Sequence, residues 1–204
     1  MLLMTLSATG VMRQMIFTYD TELTLRAACM LVNSNRGASG GVDGAADTVG
    51  DVAGLDAYLA EFGWTGRRDR DAAELADVHR LRERIGRIWA VAEDEERTVG
   101  QVNALLSDTK ASPWLTRHAE MPEWHLHLAS IHDPLAQRMG AEMAMALADL
   151  IRGGELRRLK TCAAPDCDAV LFDVSRNRSK IFCDTGNCGN RQHVAAYRAR
   201  SRDG

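Results

Sequence analysis

Four of the chain's five cysteines fall within 27 residues of one another near the C-terminus, as two pairs of equal spacing. Cys162 and Cys167 are separated by four residues, and Cys183 and Cys188 repeat that spacing after a gap of fifteen. Two such pairs, each on its own short loop, can offer four thiolates to one tetrahedral ion. Zn²⁺ suits the set because it is borderline-soft and redox-inert and imposes no geometry that four sulfurs cannot meet. The spacing lies near a zinc-ribbon pattern, with each internal gap slightly long. Four sulfurs leave no open coordination position, so one structural ion is expected and not a catalytic one.

The competing chemistry is a pair of disulfides, which belongs to oxidising compartments. Met1 to Met15 has an apolar start but no early positive charge, and Thr5, Ser7, Thr9 and Gly10 interrupt it. It therefore does not read as a secretory signal. No run approaches the roughly 18 apolar residues of a membrane span. A cytoplasmic chain with metal-bound cysteines is the expectation. Cys29, among Ala27, Ala28, Met30, Leu31 and Val32, reads as a buried small hydrophobe. His125 and His127 share a strand face without an acidic or cysteine partner at ligand spacing. His132-Asp133 lacks a nucleophile motif, so no enzyme is expected.

The elements that must carry the cysteines divide the chain by charge. Residues 1–150 hold 14 Lys/Arg against 22 Asp/Glu, a balance of −8, and residues 151–204 hold 11 against 6, a balance of +5. A basic zinc module on an acidic partner domain is the layout of a nucleic-acid reader attached to something else. Ala136 to Ile151 reads as a helix closed by Arg152, with Gly153-Gly154 where a C-cap belongs. The boundary is accordingly drawn between a domain of residues 1–152 and a module of residues 155–204.

Within the larger part, Ile16 to Tyr19 is a short β-prone stretch and Leu23 to Val32 a helix. Asn33 to Gly50, with five glycines, reads as a long mobile loop. A helix starting at Asp51 puts Val52, Leu55, Tyr58, Leu59 and Phe62 on one face, and Gly63 ends it. Asp69 to Thr98 reads as one long helix, with the acidic run Glu93 to Glu96 on a solvated face. Trp124, Leu126 and Leu128 alternate with His125 and His127, which predicts a half-buried strand in a β-hairpin around Met121-Pro122. The fold class is α+β: a mainly helical N-terminal domain with a small β-hairpin or sheet, then a small C-terminal treble-clef or ribbon-like zinc finger.

Between the cysteine pairs, Val170-Leu171-Phe172 and Ile181-Phe182 read as strands joined by a turn bearing Arg176, Arg178 and Lys180. After Cys188, a helix capped by Asn190 would pack Val194 and Tyr197 on that hairpin and present Arg191, His193, Arg198 and Arg200. Phosphates are contacted by such cations, and arginines near a helix start can reach base edges, which makes Arg191 the expected base reader.

The run Cys188-Gly189-Asn190-Arg191, with His193, the Ala-Tyr-Arg-x-Arg end and all four cysteines, resembles the CGNR zinc-finger family. Leu31-Val32-Asn33-Ser34, the hairpin with Trp124 and the helix end Ala148-Asp149-Leu150 resemble the ABATE domain that usually precedes this finger. Where that motif carries an Asp two residues before the position of Val32, this chain has Met30. The resemblance implies a bacterial, stress- or small-molecule-responsive transcription regulator, with DNA bound by the finger. The expected partners are DNA, a small-molecule effector in a pocket lined by Asn33, Arg36 and Trp124, and a second copy of the chain. The alternative is a zinc-stabilised protein- or RNA-interaction module without sequence-specific DNA binding.

Overall fold

A computed structural model describes residues 17–36, 46–118 and 121–201. The core is built from helices whose apolar positions recur every three or four residues. Helix α1 (Tyr19–Asn33) opens at Thr18, whose hydroxyl accepts from the Thr21 N–H, and it buries Leu25, Ala28 and Leu31 completely. Helix α2 (Val52–Glu61) is capped by Asp51, as its sequence predicts. Helix α3 (Ala72–Ala90) starts at Asp71, which accepts from the Glu74 N–H. The Glu74 carboxylate reaches back past the cap to the N–H groups of Asp69 and Arg70, which ties the entering chain to the first turn. Helix α5 (Leu135–Arg152) supplies the largest buried row, Met139, Met143, Leu147 and Leu150. It packs against α1, α3 and α4. At Gly140 a Cβ would come within 2.8 Å of Thr109 and 3.3 Å of Leu81, so this glycine is what lets three helices approach so closely.

The single helix expected over Asp69 to Thr98 is two. Helix α3 stops at Ala90, and α4 (Glu95–Asp108) begins at Asp94, whose carboxylate accepts from the Arg97 N–H. The acidic run is therefore a cap and a first turn that complements the helix dipole, rather than one face of a longer helix. Thr98 pins the corner by donating its hydroxyl to the carbonyls of Val91 and Asp94. The β-prone reading near Tyr19 also fails, because Thr18 caps α1 there. Of the expected Gly-rich loop, Ser34–Arg36 form a 3-10 turn and residues 37–45 lie outside the described residues. Asp47 closes the far end of that loop with an ion pair to Arg82 at 2.8 Å.

Strands β1 (Trp114–His118) and β2 (Met121–His127) form the expected antiparallel hairpin, with Leu115 opposite Leu126. The expected burial of its apolar face is not what is found. Leu128 is buried against Ala141 of α5, but Trp124 is 63% exposed and Leu126 lies outward with it. The Arg117 guanidinium covers the Trp124 ring, 4.9 Å from its centroid.

Strands β3 (Leu159–Thr161) and β4 (Val170–Phe172) pair antiparallel, with Thr161 opposite Val170, and α6 (Cys188–Arg200) closes the described chain. Leu159, Val170 and Phe172 belong to the same buried cluster as the helices. No helix of the described residues is long and apolar enough to cross a membrane.

Candidate metal centre and basic surface

The first cysteine pair lies on the turn between β3 and β4. Cys162 follows the end of β3, and its N–H donates to the Ala169 carbonyl at 2.8 Å. The Cys167 N–H donates to the Ala164 carbonyl at 3.1 Å, tightening the turn. The second pair lies at the entrance to α6, of which Cys188 is the first residue. Val170–Phe172 therefore pairs with the strand before Cys162 and not with Ile181-Phe182, as the sequence suggested. Residues 181–182 contribute a single backbone contact, the Ile181 carbonyl accepting from the Ala163 N–H at 2.8 Å. The arrangement is a turn-borne pair facing a pair at the entrance to a helix, with only Cys188 on the helix itself.

The four sulfurs lie within 4.8 Å of one another, with Cys167 to Cys183 at 3.7 Å and Cys183 to Cys188 at 3.6 Å. Ligands at about 2.3 Å from a tetrahedral zinc ion must stand about 3.8 Å apart, so the donor set fits. All four cysteines are buried and none forms a disulfide. Burial pushes the Cys167 thiol up to about 11 and raises Cys183 further. Cys162 is brought down, because N–H donors from Ala164 and Cys183 outweigh its burial. Buried thiolates need a positive partner, and a divalent ion supplies it.

Two groups brace the cage from outside. The Arg191 guanidinium donates to the Cys188 sulfur at 3.3 Å and to both Asp166 oxygens, at 2.8 and 3.1 Å. Arg191, the expected base reader, therefore also touches the metal centre, through the Cys188 sulfur and a bidentate pair with Asp166. Asp166 was missed in the sequence because nothing in its own spacing marks it as a partner. The helix starts two residues before the expected cap, with the Asn187 carbonyl accepting from the Arg191 N–H, and Asn190 instead donates to the Asn187 side chain.

The cationic turn beyond β4 is built on a buried carboxylate. Asp173, fully buried, accepts from the Lys160 ammonium at 2.6 Å, from the Ser175 hydroxyl and N–H, and from the Lys180 N–H. Burial alone would push this carboxyl up, but those donors hold it below the usual aspartate range. Arg158, also buried, donates to Glu155 and to the carbonyls of Asp173 and Ser175, each at 2.8 Å. Glu155, Arg158, Lys160 and Asp173 carry no motif that marks them in the sequence.

The cations expected to meet nucleic acid separate into two groups. Arg178 lies 3.5 Å from Glu155, and Lys180 lies 2.5 Å from Asp184. Arg176, His193, Arg198 and Arg200 are exposed, and the three arginines make no ion pair among the described residues. Val194 and Tyr197 do not pack back on the hairpin. They are exposed on α6, Tyr197 at 66%, and Ile181 is exposed as well. Leu159, Val170 and Phe172 of the β3–β4 hairpin pack instead into the helical core.

The three residues expected to line an effector pocket are placed apart in role. Asn33 is buried, its carboxamide bonded to both backbone groups of Val170. Trp124 stands outward on β2. Arg36 ends the 3-10 turn after α1, and its side chain lies outside the described residues. Met30 is half-buried against the core. His125, on the β2 face opposite Trp124, lies with its ring 5.1 Å from that of His127 and has its Nδ1 2.9 Å from the Glu123 carbonyl.

Two families match this chain. Residues 25–154 match ABATE, described as "Putative stress-induced transcription regulator", and residues 158–201 match the CGNR zinc finger. A search of curated proteins returns no match. With the sulfur geometry and the finger match together, Cys162, Cys167, Cys183 and Cys188 hold one structural zinc ion.

Proposed function

The chain belongs to the ABATE family and ends in a CGNR zinc finger, and from this premise we propose a DNA-binding transcription regulator whose N-terminal domain senses a small molecule or stress signal. The observation that carries the reading is the exposed side of α6, where Arg198 and Arg200 stand beside Tyr197 and His193. Arg176 adds a further exposed cation, on the turn braced by Asp173. Guanidinium groups neutralise phosphates, and a tyrosine ring among them offers a flat apolar contact to sugar or base. Arg178 and Lys180 are partly exposed in their ion pairs with Glu155 and Asp184, and partly exposed pairs are weak enough to exchange for phosphate.

Titration of DNA at several salt concentrations tests this. Three to five phosphate contacts give a slope of log K against log salt of about −3 to −5, from about −0.9 per contact. Arg176→Ala should weaken binding to all sequences alike and reduce the slope by about one. Binding that is absent at low salt while zinc is retained would overturn the reading. One observation favours a second reading. Val194, Tyr197 and Ile181 are exposed apolar side chains on a small module, which suits a protein- or RNA-interaction surface.

A further inference from the structure

The finger's first strand pair is built into the helical domain rather than hung beside it. Asn33, the last residue of α1, donates from its carboxamide nitrogen to the Val170 carbonyl at 2.8 Å. Its carboxamide oxygen accepts from the Val170 N–H at 2.9 Å. The side chain thus pairs with β4 as a neighbouring strand would, with one donor and one acceptor on the same residue. The Cys29 thiol, one turn earlier on α1, donates to the same carbonyl at 3.3 Å. From α3, the Trp89 indole N–H donates to the Leu171 carbonyl at 3.2 Å. Val170 stands three residues beyond Cys167, and its neighbour Ala169 accepts from the N–H of Cys162.

We propose that Asn33 is a positioning residue for the zinc centre, fixing β4 on α1 so that the first cysteine pair faces the second, and that zinc occupancy and the packing of α1 are therefore coupled. The physical ground is that a buried N–H and carbonyl left without partners are costly, so β4 has one favoured seat on α1. Zinc, by ordering Cys162 and Cys167, holds β4 in that seat. Coupling of this kind is reciprocal, so Asn33 must strengthen zinc binding as much as zinc strengthens the α1 contact. The proposal does not depend on the finger binding DNA.

The test uses the full chain. Zinc affinity of Asn33→Ala is measured by competition with a chromophoric chelator, beside Leu55→Ala, a core truncation on α2. Asn33→Ala, which removes both buried hydrogen bonds to Val170, should bind zinc at least about tenfold more weakly. Leu55→Ala should lower the melting temperature yet leave zinc affinity within about twofold, which separates positioning from general destabilisation. In the unsubstituted chain, chelation of zinc should speed amide exchange at the end of α1 and around Trp89 while α4 keeps its protection. This arm decides the matter even if Asn33→Ala does not fold. Unchanged zinc affinity in Asn33→Ala, or exchange at the end of α1 indifferent to zinc, would overturn the proposal.

Discussion

Helices α1 to α5 and the finger of residues 158–201 bury very different things. The helices enclose Leu25, Leu31, Ile85, Met139, Met143 and Leu147, rows of large apolar side chains contributed by several elements. The finger encloses four cysteines with Ala164 and Ala169, and stiffens its edge with buried Arg158 and Asp173. A unit of that size cannot bury enough apolar area to offset chain entropy, and the metal makes up the difference. The lesson is that the two halves should fail by different routes. The helical half answers to cavities and temperature, and the finger answers to chelators, thiol chemistry and loss of charge.

The largest effect that sharpens this contrast comes from Cys183→Ser. Structural zinc in small fingers is worth about 10 kcal/mol or more, so the variant should lose its metal and unfold residues 158–201. Zinc analysis and amide exchange read the result, and a variant that keeps stoichiometric zinc would break the contrast. Leu147→Ala is its counterpart in the helices. It should cost about 2–5 kcal/mol and lower the melting temperature while zinc stays bound.

An intermediate effect is expected at Arg191. Groups that orient metal ligands from outside typically change affinity by about 10–100-fold when removed. Arg191→Ala should weaken zinc binding within that range, because both the Cys188 sulfur and Asp166 lose their donor. If DNA affinity falls while zinc affinity stays constant, Arg191 is a nucleic-acid contact after all.

The smallest effect lies in the helical half. Burial, with some help from Asp20, pushes the Glu142 carboxyl up to about 7, against the pull of the Leu128 N–H and of His125. The folded state thus prefers the protonated acid. Its stabilising contribution is full below the ordinary glutamate value and is lost as pH rises through about 7. The β1–β2 hairpin should be held most firmly near pH 5 and less so at pH 8, read as amide exchange at Leu128 corrected for intrinsic rates. Glu142→Gln should flatten that pH dependence, and an unchanged profile in the variant would show that Glu142 is not its source.

The sequence made the zinc ligands legible because thiolate chemistry demands a short, repeated spacing that few other structures need. Helix α5 was legible for a similar reason, its period ending at a basic residue and a glycine pair. The α3–α4 corner was not, because the apolar period runs through Ala92 and only the cap chemistry at Asp94 interrupts it. The pairing of β4 was misjudged because three apolar residues fix a strand but not its partner. Long-range choices decided that partner: Asn33 seats Val170, and the helical core claims Leu159 and Phe172. The partners of the cations were hidden in the same way, since Asp166 meets Arg191 and Glu155 meets Arg178 only once the chain is folded.

The measurement that bears most directly on the central claim is DNA binding by the full chain from a random or genomic pool, with zinc bound and after chelation. Selective retention of DNA is expected at low to moderate salt, with loss of that binding on chelation and its return when zinc is restored. Zinc-loaded protein that retains no DNA at low salt, or binding that survives removal of the metal, would contradict it.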